Sequence, residues 1–557
     1  MRLGIASRSF VLLGIAALVG LGGCSKVSTG SANGSHSWTQ PGVFRFGENA
    51  DPRSLNPLIA TSSVVGDLSM FIYSYAVRYD EKSRPVPDAL SEIPTVANGD
   101  VSKDGLTLKY RLRHTITFQD GVPLTCKDLK FTWQVVMNPH NNSNTTDGYR
   151  DIKSIDCSDP YVTLIHMKKL YAPYLGQLWG VNGNAPILPE HLLAKYNDDK
   201  GSFNNAPYNA MPIGSGPFKV VEWNRGSGVR MEAYPGYFMG KPKLNEVDFK
   251  ILPDENTLIT QLQTHAIDMV AVGSGGLWPQ YQRLAADPKN GLTAIRLDAF
   301  AYSHIDFNLR HPIVNDRQVR LALAYATNRA EIIADVLHGS AIPAETDQSP
   351  ALSWAYTSDI QHHPYDPAKA RQILDADGWK IGPDGIREKN GERLSFDYST
   401  QTESTTGKAV QTLLQNEWHQ VGAEAIVKNA PTNVFFENSS VGILQGGHYD
   451  VAGFGWSAAS DPDDSPIYSA DNFAPKGQNA IFWDNTAATS AMNDALKTLD
   501  INRRKADYKI VQQQMALDVP TIILYFQRVP YVYNTDLQGF KASPVISAFW
   551  NPWEYSI

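Results

Sequence analysis

Residues 453–464 read Gly-Phe-Gly-Trp-Ser-Ala-Ala-Ser-Asp-Pro-Asp-Asp. Two aromatic rings, Phe454 and Trp456, stand a few residues ahead of three carboxylates, Asp461, Asp463 and Asp464. A ring to stack on and an anion beside it could hold a cationic ligand. The same residues also fit a buried tryptophan followed by a solvated Asp-Pro turn. Spacing alone leaves both readings open.

Covalent chemistry finds less support. The sequence has no GxSxG elbow, no HExxH, no GxxxxGK[ST] phosphate loop and no GxGxxG. Gly214–Phe218, GSGPF, lacks the lysine and the helix that phosphate binding needs, and reads as a tight turn into the strand FKVVEW. Among 13 histidines, His362 and His363 are adjacent. Neighbouring side chains diverge, so this pair reads as a solvated loop and not as a metal site. Ser, His and Asp are plentiful but their presence makes no triad, and nothing gives Asp463 and Asp464 the separation of an acid–base pair. The chain reads as a non-enzyme that needs no cofactor and no metal. Besides Cys24 there are two cysteines, Cys126 and Cys157. An oxidising compartment permits a bridge between them. Alternatively they stay free, with Cys126 at a helix start where a thiol can be activated.

Strand and helix patterns alternate around these residues. LTLKYRLR (106–113) puts Leu106, Leu108, Tyr110 and Leu112 on one face at a period of two. Asp120-Gly121 turns the chain, and Thr125 opens a helix bearing Leu129, Trp133 and Val136. A long helix is predicted from Asp316 to His338, with Asp316 as N-cap and Gly339 as stop. Residues 366–378 repeat that logic with Asp366, Pro367 and Gly378. Another helix over 405–421 buries Val410, Leu413, Leu414, Trp418 and Val421 and stops at Gly422, while 520–533 reads as a buried strand. Mixed α/β in more than one domain follows, since about 520 folded residues exceed one core.

The amino terminus gives a compartment. MRLGIASRSFVLLGIAALVGLGGCS has two arginines, an apolar run from Phe10 to Val19, then Leu-Gly-Gly-Cys. That is a signal-peptide layout with a run too short for a membrane span, which takes about 20 residues. Leu21–Cys24 resembles a bacterial lipobox, which implies cleavage of residues 1–23 and lipidation of Cys24. Residues 24–37 then form a lipidated Cys and a flexible Ser/Gly/Asn tether. The chain carries 49 basic against 57 acidic residues, net charge −8, and cleavage removes Arg2 and Arg8 as well. Such a surface repels nucleic acid. Location in the cell envelope is expected, facing periplasm or exterior.

Longer blocks now line up in order: RLRHTITFQDGVPLTCKDLKFTW (111–133), PIGSGPFKVVEWNRGSGVRMEAYPGYF (212–238), HIDFNLRHPIVNDRQVRLALAYATNRAEIIADVLHGSAIPA (304–344), YDPAKARQILDADGW (365–379), YDVAGFGWSAASDPDD (449–464) and FWNPWEY (549–555). The chain resembles the extracellular solute-binding proteins of the peptide/nickel class, family 5, the oligopeptide- and dipeptide-binding lipoproteins of ATP-driven importers. The resemblance implies an α/β, two-lobe, periplasmic-binding-protein-like fold (class II, large peptide-binding type) with a two-strand hinge. Lobe I would take 38–298, with an inserted subdomain at about 77–200, and the return 527–557; lobe II would take 299–526. The crossings would fall near 298–303 and 524–529. A monomer would close over a small solute, a short peptide first of all, and deliver it to a permease and its ATPase. An oligosaccharide, a metal chelate or a modified peptide is the alternative cargo. A secreted hydrolase is a more distant one.

In peptide-binding relatives the loop matching 453–464 lines the cleft, which assigns Phe454, Trp456 and Ser457 to the ligand. An Asp three residues after the Trp holds the peptide's amino group there. Here that position is Ala459, and the stretch from Trp to Asp-Pro is one residue shorter, so Asp461 is the candidate substitute. The segment after the matching proline points to Thr61, Ser62 and Ser63. Arg310 is a candidate carboxylate clamp, set against a structural role.

Overall fold

The computed structural model describes residues 36–60, 62–271, 277–437, 439–456, 459–545 and 547–557. The stretch read as a signal segment, Cys24, nearly all of the expected tether, Thr61 and Ser457 lie outside the described residues. By its internal contacts the chain divides into Met1–Trp38 and the folded body Thr39–Ile557.

The strands that frame the body are β1 (Val43–Glu48), β2 (Thr107–Arg111), β3 (Ile152–Asp159), β4 (Val162–Met167), β5 (Phe218–Asn224), β6 (Gly228–Ala233), β7 (Glu246–Ile251), β8 (Met269–Ala271), β9 (Leu292–Phe307), β10 (Ala341–Pro343), β11 (Ser395–Ser399), β12 (Glu424–Val427), β13 (Val451–Trp456) and β14 (Thr521–Asn534). Among the described residues, eleven of them form one sheet in the order β12-β11-β13-β9-β14-β8-β1-β7-β6-β5, with β10 also on β14. β1 runs parallel to β7 and β8, and β11 runs parallel to β12 and β13. The long strands β9 and β14 join these two regions in antiparallel register. Leu292–Asp298 faces Arg528–Asn534; the register then breaks between Asp298 and Tyr302 and resumes with Tyr302–Asp306 against Thr521–Phe526.

The hydrophobic core divides along the same line. Phe44, Phe46, Leu68, Phe71, Phe218 and Phe249 pack together with Phe549 and Tyr555 from the chain end. Ile305, Phe307, Leu323, Phe396, Trp418 and Leu524 pack in another group. The Phe46 and Phe549 rings meet at 5.0 Å, nearly perpendicular. A fully buried Phe side chain stabilises by roughly 1.5–3 kcal/mol, so the carboxyl-terminal segment is integral to the first core.

Local signals explain the helices α1 (Ser63–Ile72), α2 (Cys126–Met137), α3 (Arg317–Tyr325), α4 (Pro367–Ala376), α5 (Thr405–His419) and α6 (Ile501–Asp518). The carbonyl of Ile72 at the end of α1 accepts from Gly216 N, and a Cβ on Gly214 would lie 2.0 Å from the same oxygen. Gly214–Phe218 is therefore a turn whose glycines permit that close approach, as its sequence suggests. In α2, Asp128 Oδ2 accepts from Thr125 N at 2.8 Å. Cys126 is bonded to Cys157 of β3 with Cα atoms 5.5 Å apart, so the bridged alternative holds. Asp366 caps α4 as its position predicts, and Ser404, which the sequence reading did not single out, caps α5.

Three expectations are corrected. Leu106 precedes β2 and is exposed, so the apolar face begins at Leu108. The helix predicted from Asp316 to His338 is broken. α3 ends at Tyr325, Asn328 caps a fresh turn by accepting from Glu331 N, and Ile332–Val336 is a wider π turn. Thr327 Oγ1 donates back to Leu323 O at 2.8 Å and accepts from Trp418 Nε1 of α5 at 3.1 Å. Side-chain bonds to the backbone and to α5 thus replace helical ones. Finally, His362-His363 is not a solvated loop: His363 is buried, and only His362 is exposed, with Nδ1 2.6 Å from Glu345.

Candidate functional site

Side chains two residues apart on a strand share a face, so β13 presents Phe454 and Trp456 together. Across β9, Tyr302, His304 and Asp306 stand opposite Trp456, Phe454 and Ala452. The His304 ring meets Phe454 edge-on at 4.3 Å, and Phe454 meets Trp456 at 5.9 Å and 80°. Phe454 is buried and Trp456 half-buried. With Phe436, Leu444, Tyr468 and Ile481 these rings wall a cavity of about 300 Å³, the lower end of the range for small-ligand pockets. At its polar side His304 Nδ1 lies 2.8 Å from Asp306 Oδ1, both side chains buried. The hydroxyls of Tyr302 and Tyr468 meet at 2.9 Å.

The acidic turn is otherwise occupied. Arg504 of α6 grips Asp461 through both carboxylate oxygens, at 2.9 and 2.6 Å, and lies over the rings of Trp354 and Tyr508. Burial works against that guanidinium's charge, and Asp461 more than compensates, holding its pKa above the ordinary value. Asp463 Oδ1 accepts from Ser465 N and Oγ at 3.0 and 2.6 Å. Asp464 is buried; desolvation and then the charge of Asp347 push its pKa well above the carboxylate range. Gln348 Nε2 bridges these two carboxyls at 2.7 and 2.8 Å. An ammonium group at Asp461 would have to share the carboxylate with a bidentate guanidinium.

Ser460 and Asp461 open onto a second cavity, of about 400 Å³. Trp354 and Arg504 share its one side; Tyr79, Arg84 and Leu175, from the first core's half of the chain, form the other. Asn182 Nδ2 donates to Ser460 Oγ.

The remaining candidates lie elsewhere. Ser62 and Ser63 are exposed at the start of α1 and line neither cavity. The Arg310 guanidinium sits 3.4 Å from the centroid of Phe482 and lines neither cavity, while Asn308 ties the Gly447 and Tyr449 carbonyls at 3.0 and 2.8 Å. Sequence reasoning missed His304, Asp306, Tyr468 and Arg504. The first two were within reach, because HIDF (304–307) alternates polar and apolar residues on a buried strand. Arg504, 43 residues beyond Asp461, gave no local signal.

Residues 56–478 match the family model for bacterial extracellular solute-binding proteins, family 5, middle region. The oligopeptide-binding protein AppA of Bacillus subtilis (strain 168) is 28% identical over 527 residues, 93% of either chain. The glutathione-binding protein GsiB of Salmonella typhimurium is 28% identical over 475 residues, 83% of this chain and 85% of its own. Among solved structures, NikZ from Campylobacter jejuni in complex with Ni(L-His) superposes with a TM-score of 0.75 at 26% identity, covering 93% of this chain and all of that one. AppA from Bacillus subtilis in complex with a nonapeptide gives 0.72 at 27% identity, with 93% and 99% covered. The resemblance seen in scattered blocks thus extends over the body of the chain and its two-lobe α/β fold, and places it in family 5 of the bacterial extracellular solute-binding proteins, the solute-capturing components of ATP-binding-cassette importers.

Proposed function

We propose that this chain is an exported, lipid-anchored protein, monomeric, that captures oligopeptides between two lobes and hands them to a permease driven by an ATPase. Residues 38–298, with a subdomain at about 77–200, and 527–557 form lobe I; residues 299–526 form lobe II; the middles of β9 and β14 serve as the hinge. Cys24 carries the lipid. The observation that carries this reading is that two of the cavities along 453–464 combine rings and opposed halves: one is walled by Phe454 and Trp456, the other shared with Tyr79 and Leu175 of the opposite half. Closure over a ligand is stabilised only by contacts that exist in the shut form, and a solute held between Trp456, Arg504 and Tyr79 would supply them. Thr61, Ser62, Ser63 and Ser457 are proposed as ligand contacts on the resemblance alone, Ser62 and Ser63 lining neither cavity, and Arg310 supports the second lobe through Phe482.

A second reading, a metal chelate or other non-peptide solute, is favoured by one observation: Ala459 stands where an amine-binding Asp would be, and Asp461 is held by Arg504. Native mass spectrometry of the protein truncated before Ser25 and purified without refolding separates the two. A ladder of short-peptide masses is the expected result. A single non-peptide mass would replace the peptide reading with the second one.

A further inference from the structure

We infer that the cavity beneath Trp456 is a side-chain pocket selecting a peptide residue with a flat ring and a hydrogen-bond donor at its tip, tyrosine or tryptophan. The inference rests on the peptide reading above and names the ligand residue that reading leaves open.

Two features of the wall carry it. The first is shape and polarity. Phe454, Trp456, Phe436, Leu444, Tyr468 and Ile481 make a largely aromatic enclosure of about 300 Å³, room for about ten waters at ~30 Å³ each or for one large side chain. Edge-to-face contacts already organise its rings, and an inserted ring would extend the same packing. Among the described residues no lysine or arginine lines it, and Asp306 does, so a carboxylate or phosphate finds no cation there.

The second is an unmet hydrogen bond. His304 is 2% exposed, lines the cavity, and its Nε2 has no partner among the described residues. Its Nδ1 faces Asp306 Oδ1 at 2.8 Å. A carboxylate only accepts, so Nδ1 carries a proton; with the ring neutral, Nε2 then presents a lone pair. Gln445, on the same wall, likewise has Oε1 buried without a partner. Buried polar atoms are ordinarily bonded, and leaving one unmet is costly. Two acceptors inside an aromatic enclosure ask for a donor borne on a ring, which a phenol O–H or an indole N–H supplies and a phenyl ring does not. The Asp306 carboxylate fixes the imidazole's tautomer, as a supporting group does for a ligating histidine.

The test is calorimetric titration with penta-alanine and with its variants carrying Tyr, Trp or Phe singly at each position. The expected result is one position at which Tyr or Trp binds at least about tenfold tighter than Phe, a preference that falls to about one in His304→Phe and shrinks in Gln445→Leu. The wild-type comparison of Tyr with Phe decides the matter even if the His304 variant fails to fold. Binding of all the peptides with equal affinity, or Phe preferred to Tyr, overturns the pocket and leaves the peptide reading standing. Binding of none of them overturns both.

Discussion

Asp461 shows how far a side chain's role depends on its partners. In the sequence it is the obvious anion beside Trp456; in the fold its two oxygens complete Arg504, whose side chain is 6% exposed. Removing one partner of a buried pair leaves the other charge uncompensated, at a cost of about 3–5 kcal/mol. Asp461→Ala should therefore lower the urea midpoint of the empty protein, and adding Arg504→Met should recover most of the loss. Unchanged stability with weakened binding would instead make Asp461 a direct ligand contact. His363 makes a different prediction. Burial, then the nearby Arg329 charge, lowers its pKa to about 4. The unfolded chain takes up a proton near pH 6.5 and the folded one does not, so stability is full above pH 6.5 and falls as pH drops toward 4, by up to about 3 kcal/mol. Glu48 and Glu417, each pushed up to about 7 by burial, act in the opposite sense. The contribution of His363 is thus the difference between wild type and His363→Gln in denaturation series from pH 4 to 8, and equal slopes would remove it. The aromatic half of the 453–464 segment was legible only through the family resemblance, which singled out Phe454 and Trp456. The acidic half was not, because the fate of a carboxylate is decided by whatever folds against it.

Elements whose signals are local came out of the sequence nearly whole. α4 and α5 begin at capping side chains and stop before Gly378 and Gly422, both at positive φ. The helix predicted from Asp316 failed where a distant residue intervened: Trp418 reaches Thr327 across 91 positions. Periodicity continues through that break, because both pieces still bury Val319, Leu323 and Ile332. Cys126–Cys157 joins α2 to β3 over 31 positions. Loop-closure entropy assigns such a bridge roughly 3–4 kcal/mol, so the Cys126→Ala, Cys157→Ala variant should unfold at a correspondingly lower denaturant concentration. Coincident unfolding curves for the two proteins would show that the bridge does not constrain the unfolded chain.

At the scale of the molecule, two half-chains meet at Ser460, where Asn182 donates its hydrogen bond. If that contact belongs to the shut form alone, Asn182→Ala should weaken ligand binding several-fold, about the worth of one hydrogen bond, while leaving the thermal midpoint of the empty protein in place. Small-angle scattering should show the bound form more compact than the free one. An affinity unchanged by Asn182→Ala would exclude the contact from closure. The two-lobe architecture was readable from the ordered blocks, but the strand order was not. Pairing between β9 and β14 spans more than 200 residues, as in Asp306 with Thr521, and no pattern within either strand announces its partner.

That pairing also sets a schedule. β14 is the central strand against which β8, β9 and β10 hydrogen-bond, and Phe549 and Tyr555 close the first core. A growing chain can form α2, the β2-β4-β3 sheet and isolated helices early. It cannot complete the second core before Leu524 and Tyr525 are synthesised, nor the first before Phe549 and Tyr555, and contacts of such long sequence separation form late. Both cores therefore stay open until β14 and the segment that follows it are in place, so the late-synthesised strand decides when either half of the molecule can close.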